Sequence, residues 1–450
     1  MIKQIAKIKV WPLFLSAALI WLAYVSRISL GVPLSLLALY GYFRARRLDE
    51  KNLCLKNLAL LFLIGFAGSY FLIKGPVLAI PFCLIPMLGT LLFNNLEVSL
   101  LLALAGSVAI FSLSNFSLGI ISLVSGIAAS ILVFGARKRS TVIRAGAAVA
   151  VIQALTLVFL DRFWLGPAVD YLYLALNGLA ASIIVLGVLA VFEFLFDTST
   201  NISLLELADF QHPLLQRMVL EAPGTYHHSL VVGNISEAAC DAVGVNALLA
   251  RVGAYYHDIG KLAKPEYFSE NQLMKSNKHD SLSPAMSKLI IMNHVREGLE
   301  LARKYRLRPA IVDFIRQHHG NSLVYYFYRR ALESLEEDQE VKEEGFRYPG
   351  PKPKTKEAAI VLLADSVEAA TRALKDPEPA KIEELARKII NNKFIDGQLD
   401  ECDLTLKDLE RISAVFVRIL SGIYHSRVNY PSDDNYKKLS KTDPHQPEKG

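Results

Sequence analysis

The sequence predicts an all-α protein in two parts, a polytopic bundle of transmembrane helices followed by an all-α soluble domain. Three observations carry this. The 450-residue chain is 52% hydrophobic, and the apolar excess sits in residues 1–197, where long apolar runs follow one another. From about residue 198 apolar residues recur at three- and four-residue spacing, the period of an amphipathic helix. Strand-like alternation is hardly visible in either part. The expected organisation is a membrane region over 1–197, a soluble domain over 198–430 and a disordered polar tail over 431–450.

An apolar helix of roughly 17–25 residues crosses a bilayer. Eight segments qualify: 10–26, 29–45, 57–73, 76–93, 97–113, 117–135, 142–160 and 170–195. The first two are separated only by "SRIS" and contain Pro12 and Pro33, so seven spans is the alternative. Lys and Arg in short loops mark the cytoplasmic side. With eight spans, Lys3, Lys7 and Lys9, "FRARRLDEKNLCLK" (43–56) and "ARKRS" (136–140) all fall on one side, together with everything after Phe196. The expected location is a multi-pass protein of the inner or plasma membrane, with lipid around it and the soluble domain in the cytoplasm. Glu193 is expected at the membrane interface. The spans carry no row of acids and bases, which argues against an ion pathway.

The four cysteines are scattered with no CxxC pair, so neither a disulfide framework nor a zinc–cysteine site is expected. The net charge of +6 is modest and much of it flanks apolar runs. It reads as membrane topology, with no nucleic acid polymer as partner.

The soluble part begins with the amphipathic stretch "ISLLELADFQHPLLQRMVLEAPG", which stops at Pro223-Gly224. Further helices are expected over 226–242, 246–260, 283–304, 308–317, 322–338, 355–375, 379–391 and 404–425. "EEGFRYPGPKPKTKE" (343–357), rich in Pro, Gly and charge, reads as a loop or insertion.

All ten histidines follow residue 211. "TYHHS" supplies His227 and His228, "HDIGK" His257, Asp258 and Lys261, "MNHV" His294 and "QHHG" His318 and His319, while "LLADSVEAA" places Asp365 in an apolar helix. Neutral imidazole and carboxylate suit iron, manganese or zinc without thiolate. Adjacent HD and HH pairs suit two ions roughly 3.5–4 Å apart, because neighbouring side chains diverge while a carboxylate can bridge. Each element alone has a structural explanation, and His279-Asp280 in "NKHDSLSP" is weighed as a bystander to metal and substrate. An acid within "IVLLAD" needs a partner.

The order H…HD…H…HH…D resembles the HD-domain metal phosphohydrolases in their two-metal form. "EAPGTYHHSLVVGNISEAA", "ARVGAYYHDIGKLAKPEYFSENQ", "HGNSLVYYFYRRA", "FRYPGPKPKTKEAAIVLLADSVEAATR" and "DGQLDECDLTLKDLERI" resemble, more narrowly, the seven-transmembrane HD family. That resemblance implies a membrane-anchored phosphodiesterase that hydrolyses cyclic di-AMP to linear pApA with metal-activated water. Carried over position by position, it implies His228, His257, Asp258, His294, His318, His319 and Asp365 as ligands of two divalent ions, manganese or iron. Asp258 is the natural bridge, and Lys261 is expected to hold a phosphate oxygen. His228 is favoured over His227, since adjacent helical residues point about 100° apart.

The resemblance departs in one place. Family members usually carry a large extracellular domain after an N-terminal span, and here "SRIS" holds that position. The absence of a GYP triplet weakens cyclic di-GMP as substrate. An HD hydrolase of another nucleotide, or a non-catalytic nucleotide-sensing membrane receptor, are the alternatives, and a homo-oligomer is compatible with either. Tyr325, Tyr326 and Tyr328, with Arg329 and Arg330, read as core or interface before base contact.

Overall fold

The computed structural model describes residues 77–113, 116–161, 167–272, 277–334 and 341–424. The expected spans 10–26, 29–45 and 57–73 and the polar tail lie outside these. Among the described residues there is no strand, only one antiparallel bridge between Leu323 and Arg347. The chain divides into two compact units, one of residues up to His212 with Arg308–Ala310, the other of Pro213–Leu307 and the residues from Ile311 onward.

In the first unit the helices are α1 (Leu84–Phe93), α2 (Leu96–Leu113), α3 (Phe116–Val133), α4 (Arg139–Leu160), α5 (Ala168–Leu195) and α6 (Asn201–Leu207). Helices α3, α4 and α5, of 18, 22 and 28 residues, are long and apolar enough to cross a membrane. The segment 76–93 does not form one spanning helix. It opens with a 3-10 turn at Val77–Ala79, and α1 begins only after Pro81, which has no backbone N–H to continue a helix. Ten residues rise about 15 Å, half a bilayer's hydrocarbon core. Helix α2, Leu96–Leu113, has 18 residues and is apolar nearly throughout.

These helices share a core that includes Met87, Leu88, Leu102 and Val149, and α4 and α5 also meet through small and polar residues. A Cβ on Gly146 would lie 2.5 Å from the Gly178 carbonyl oxygen, so α4 and α5 touch backbone to backbone. Gln153 Nε2 donates to Asn177 Oδ1 (3.2 Å), and the Asn177 amide donates to the carbonyls of Leu78 and Ile80. Phe159, Ile183 and Phe194 are 69%, 63% and 87% exposed, the distribution of a lipid-facing surface. Glu193 lies two residues before the end of α5. Its carboxylate is buried and accepts from Thr200 N (2.9 Å), Thr200 Oγ1 (2.6 Å) and Arg308 Nη2 (2.6 Å). Three donors make that burial tolerable.

The second unit contains α7 (Pro213–Glu221), α8 (Pro223–Val243), α9 (Ala247–Tyr256), α10 (Pro284–Lys304), α11 (Pro309–Gln317) from Ile311 onward, α12 (Tyr325–Glu333), α13 (Lys356–Arg372), α14 (Pro379–Ile395) and α15 (Leu406–Ile423). Its centre is α13, where every residue from Ala358 to Asp365 is buried, as expected of a helix covered on all sides. Helix α15 shows the one-sided pattern. Leu409, Ile412, Phe416 and Leu420 are buried, and a Thr405–Asp408 capping box starts it.

Helix α9 is shorter than the expected 246–260. It ends at Tyr256, and a 3-10 turn follows over Ile259–Ala263. Gly260 explains the turn's position. A Cβ there would collide with the His294 carbonyl oxygen and lie 2.5 Å from Gly298 N. The turn therefore lies directly on α10, and only glycine permits that approach. We expect Gly260→Ala to cost about 3 kcal/mol, the range of overpacking a close-packed site. Chemical denaturation of the full-length protein in detergent checks this, and a change below about 0.5 kcal/mol, typical of surface substitutions, would contradict it.

Candidate metal centre

Three helix interiors and two helix ends deliver the seven side chains named from the sequence, and all seven converge. Helix α8 supplies His228, which is buried while His227 beside it is exposed, as their angular offset requires. The end of α9 supplies His257 and Asp258, α10 supplies His294, the end of α11 supplies His318 and His319, and α13 supplies Asp365. They form two groups of four. One is Asp258, His294, His318 and His319, the other His228, His257, Asp258 and Asp365, and in each the ligand atoms lie within 4.8 Å of one another.

Asp258 belongs to both groups, and each of its oxygens faces one of them. Oδ1 is 3.4 Å from His294 Nε2 and 3.6 Å from His318 Nε2. Oδ2 is 3.2 Å from His257 Nε2 and 3.7 Å from His228 Nε2. Asp365 sits across from it, with Oδ1 3.0 Å from His228 Nε2 and Oδ2 3.7 Å from His319 Nδ1.

Backbone carbonyls fix the imidazoles. His257 Nδ1 donates to Ala254 O (2.6 Å), His294 Nδ1 to Ile291 O (2.5 Å) and His318 Nδ1 to Ile315 O (3.0 Å). A carbonyl only accepts, so in each neutral ring the proton is on Nδ1 and Nε2 carries a lone pair. His228 Nδ1 is held by the Glu368 carboxylate. His294 Nε2 and His318 Nε2 then face each other at 3.1 Å with two lone pairs and no proton between them. His257 Nε2 and both Asp258 oxygens are buried without a hydrogen-bond partner. Lys261 Nζ lies 2.7 Å from Asp258 Oδ2, but outside hydrogen-bonding geometry. Orphaned lone pairs at this depth are costly. Cations between the two groups would satisfy all of them, so the residues present fit divalent metal. A nitrogen and carboxylate set without thiolate suits manganese, iron or zinc alike.

The electrostatics agree. Burial opposes charge on His257, yet Asp258 and Asp365 outweigh it and pull the imidazole up to about 10. His228 is also raised, burial being overcome by Asp365 and Glu368. Burial pushes His294 down to about 4, and His319 well below its usual value. Against their own burial, the surrounding cationic groups hold Asp258 and Asp365 well below the ordinary carboxylate range. The two carboxylates thus favour positive charge beside His257 and His228, whether a proton or a metal ion, while burial favours the neutral rings of His294 and His319.

A cavity of about 460 Å³ opens onto this cluster, within the range of ligand pockets. His228, Lys261, His294, His319 and Asp365 form its floor. Asp258 stands outside the last turn of α9, yet Lys261 still meets it, since residues three apart eclipse in a 3-10 turn. Glu270 Oε1 accepts from Lys261 Nζ at 2.7 Å. The segment expected to be a loop carries Tyr348 into the wall, stacked on His319 at 4.3 Å. His279 lies outside both metal groups but lines the cavity, as does Tyr326, while Arg329 pairs with Glu333 on the surface. Sequence reasoning missed Glu368, Glu270 and Tyr348. Glu368 had a readable signal, standing one helical turn after Asp365 on the same face. Glu270 and Tyr348 had none, because only tertiary folding brings their segments here.

An all-α domain built around a buried histidine–aspartate cluster in the order H…HD…H…HH…D is an HD domain, and a family model described as "HD domain" matches residues 225–370. A second model, "7TM receptor with intracellular HD hydrolase", matches residues 18–200. The two models thus match the two parts of this chain in the order membrane region, then HD domain. It is similar to the cyclic-di-AMP phosphodiesterase PgpH of Bacillus subtilis, 45% identical over 74% of this chain and 48% of the relative. It is also similar to PgpH of Listeria monocytogenes, 38% identical over 88% of this chain and 54% of the relative. The chain thus spans about half the length of these curated relatives. Crystal structures of the L. monocytogenes PgpH HD domain, alone and with cyclic-di-AMP, are 47% identical, cover 48% of this chain and all of theirs, and have a TM-score of 0.46. An HD domain implies divalent metal binding, and the cluster is where this one would hold it.

Two outcomes follow from the cluster. Metal binding must expel the protons that the raised His257 and His228 retain, so Mn²⁺ binding is expected to acidify a weakly buffered sample. Because those protons persist up to about pH 10 at His257, affinity rises with pH through the neutral range. A pH-independent titration would contradict this. Glu368→Gln is expected to weaken metal affinity about 10–100-fold, since Glu368 orients His228. Metal titration of the full-length variant checks it.

Proposed function

We propose that the chain is a membrane-anchored, metal-dependent phosphodiesterase that hydrolyses cyclic di-AMP to linear pApA. The observation that carries this reading is the Asp258 carboxylate shared by two histidine-rich groups whose His228, His294, His319 and Asp365 line a cavity. Seven side chains, His228, His257, Asp258, His294, His318, His319 and Asp365, would hold two divalent ions, manganese or iron in our reading. Bound there, the ions supply Lewis acidity toward phosphate oxygens and lower the pKa of a shared water. The similarity to relatives named cyclic-di-AMP phosphodiesterase supports the choice of substrate.

The chain's own groups have separable roles in the hydrolysis. Water oxygen bonds to phosphorus, the bond from phosphorus to the 3′ oxygen breaks, and that oxygen leaves with a proton. Lys261 touches Asp258 Oδ2 and Glu270 Oε1, each at 2.7 Å. An ammonium has three N–H groups and one is donated to Glu270, so N–H groups remain for a phosphate oxygen as charge develops. Glu270 keeps Lys261 aimed at the floor. Arg372, one-third exposed on the wall and 3.8 Å from Glu270 Oε2, is the cation we assign to the second phosphate. The buried floor, with Phe268 and Tyr348 beside it, excludes bulk water and strengthens these charges.

We further propose that the membrane region occupies 1–197 and the HD domain 198–430. The clusters at 43–56 and 136–140 favour a cytoplasmic HD domain.

The test uses full-length protein in detergent with Mn²⁺ and cyclic di-AMP, products being separated by chromatography. Linear pApA is expected from the parent, with no turnover after His257→Ala with Asp258→Ala. Lys261→Met is expected to lower kcat about 10²-fold, the scale of one transition-state donor. Absence of turnover by metal-loaded parent protein would refute the reading.

A further inference from the structure

Asp396, Gly397 and Gln398 open the stretch "DGQLDECDLTLKDLERI", belong to neither metal group and do not line the cavity. They end α14. Gly397 has φ +68°, its N–H donates to Phe394 O (3.0 Å), and Gln398 N donates to Lys393 O (3.0 Å). These are the paired bonds of a Schellman cap. The cap turns the chain so that Gln398 is fully buried.

Gln398 meets the turn that follows His319. Its Oε1 accepts from Asn321 N (3.0 Å), and its Nε2 donates to Asn321 Oδ1 (2.6 Å) and Asp396 Oδ2 (2.7 Å). A Cβ on Gly320 would lie 2.3 Å from Gln398 Oε1, so only glycine lets the turn come this close. Asp396 Oδ1 pairs with Arg347 Nη2 (2.8 Å), and Arg347 Nη1 donates to Asn321 O (3.0 Å). Both backbone polar groups of Asn321 are thus bonded to side chains from other segments. Tyr348 N donates to Ser322 O (3.0 Å), which ties the stacked tyrosine to the same turn.

His319 depends on such support more than the other imidazoles do. The rings of His228, His257, His294 and His318 are each held at Nδ1 by a carboxylate or a backbone carbonyl. Among the described residues no acceptor is hydrogen-bonded to the His319 ring, and its Nδ1 stands 3.7 Å from Asp365 Oδ2. Its aim is set by stacking on Tyr348 and by the backbone of its turn.

We propose that Gln398, with the Arg347–Asp396 pair, is a positioning residue of the metal centre. It holds His319, and the Tyr348 stacked on it, against the group formed with Asp258, His294 and His318. This rests on reading the cluster as a two-metal centre. Loosening the turn would weaken that group and leave the group of His228, His257, Asp258 and Asp365 in place.

The test is Mn²⁺ titration of the full-length protein in detergent, followed by electron paramagnetic resonance of the unbound ion, with thermal unfolding measured alongside. The parent is expected to bind about two ions. Gln398→Leu removes the groups that hold Asn321 and is expected to weaken one ion about 10- to 100-fold, the other staying within about threefold. Arg347→Met changes a half-buried side chain and is expected to weaken the same ion about tenfold, which tests the role even where the buried substitution prevents folding. Ile382→Ala, near the start of the same helix, opens a core cavity and lowers the melting temperature. It is expected to leave both ions at parent affinity, which separates positioning from general loss of stability. Equal weakening of both ions, unchanged binding in the Arg347 and Gln398 variants, or selective loss in Ile382→Ala would overturn the assignment. A parent that binds fewer than two ions would remove the two-metal reading, and this role with it.

Discussion

The second unit is organised around one buried carboxylate. Asp258 is 1% exposed, and its oxygens are aimed at two sets of imidazoles that approach from opposite sides. An uncompensated charge at that depth would be untenable. The surrounding structure supplies the compensation. Gly260 brings the turn onto α10, the i−3 carbonyls of His257, His294 and His318 turn each Nε2 inward, and Lys261 closes the remaining side. The same arrangement that makes the site costly without cations makes it selective for them.

Much of this was legible in the sequence for a simple reason. Ligand chemistry restricts residue type, so His228, His257, Asp258, His294, His318, His319 and Asp365 stood out as imidazoles and carboxylates in apolar runs. Their convergence could be expected from their order along the chain. Glu368 is a case that helical spacing from Asp365 could have revealed. Glu270 and Tyr348 could not be found this way, since Glu270 meets Lys261 across a series of 3-10 turns and Tyr348 arrives on a Pro- and Gly-rich segment without periodicity. The end of α9 was likewise hidden, because it is set by contact of Gly260 with another helix and not by local propensity.

In the membrane region, hydropathy located apolar segments but not how they break. The run 76–93 is apolar throughout, yet Pro81 divides it into a turn and a ten-residue helix. Glu193 reads as an acid at the end of a span, and composition does not show the three donors that bury it. Hydropathy averages over such features. Where Gly146 and Gly178 meet, packing is carried by backbone proximity and buried amides, the pattern expected when the surroundings are themselves apolar.

The most direct test of the account is the metal content of the full-length protein after loading with Mn²⁺ and desalting, measured by inductively coupled plasma mass spectrometry for the parent and for Asp258→Asn. A carboxylate shared by two groups predicts about two ions per chain in the parent and loss of both in the variant, as removing a common ligand weakens both sites together. One ion in the parent, or a variant that still retains two, would contradict the shared-carboxylate centre on which the functional reading depends.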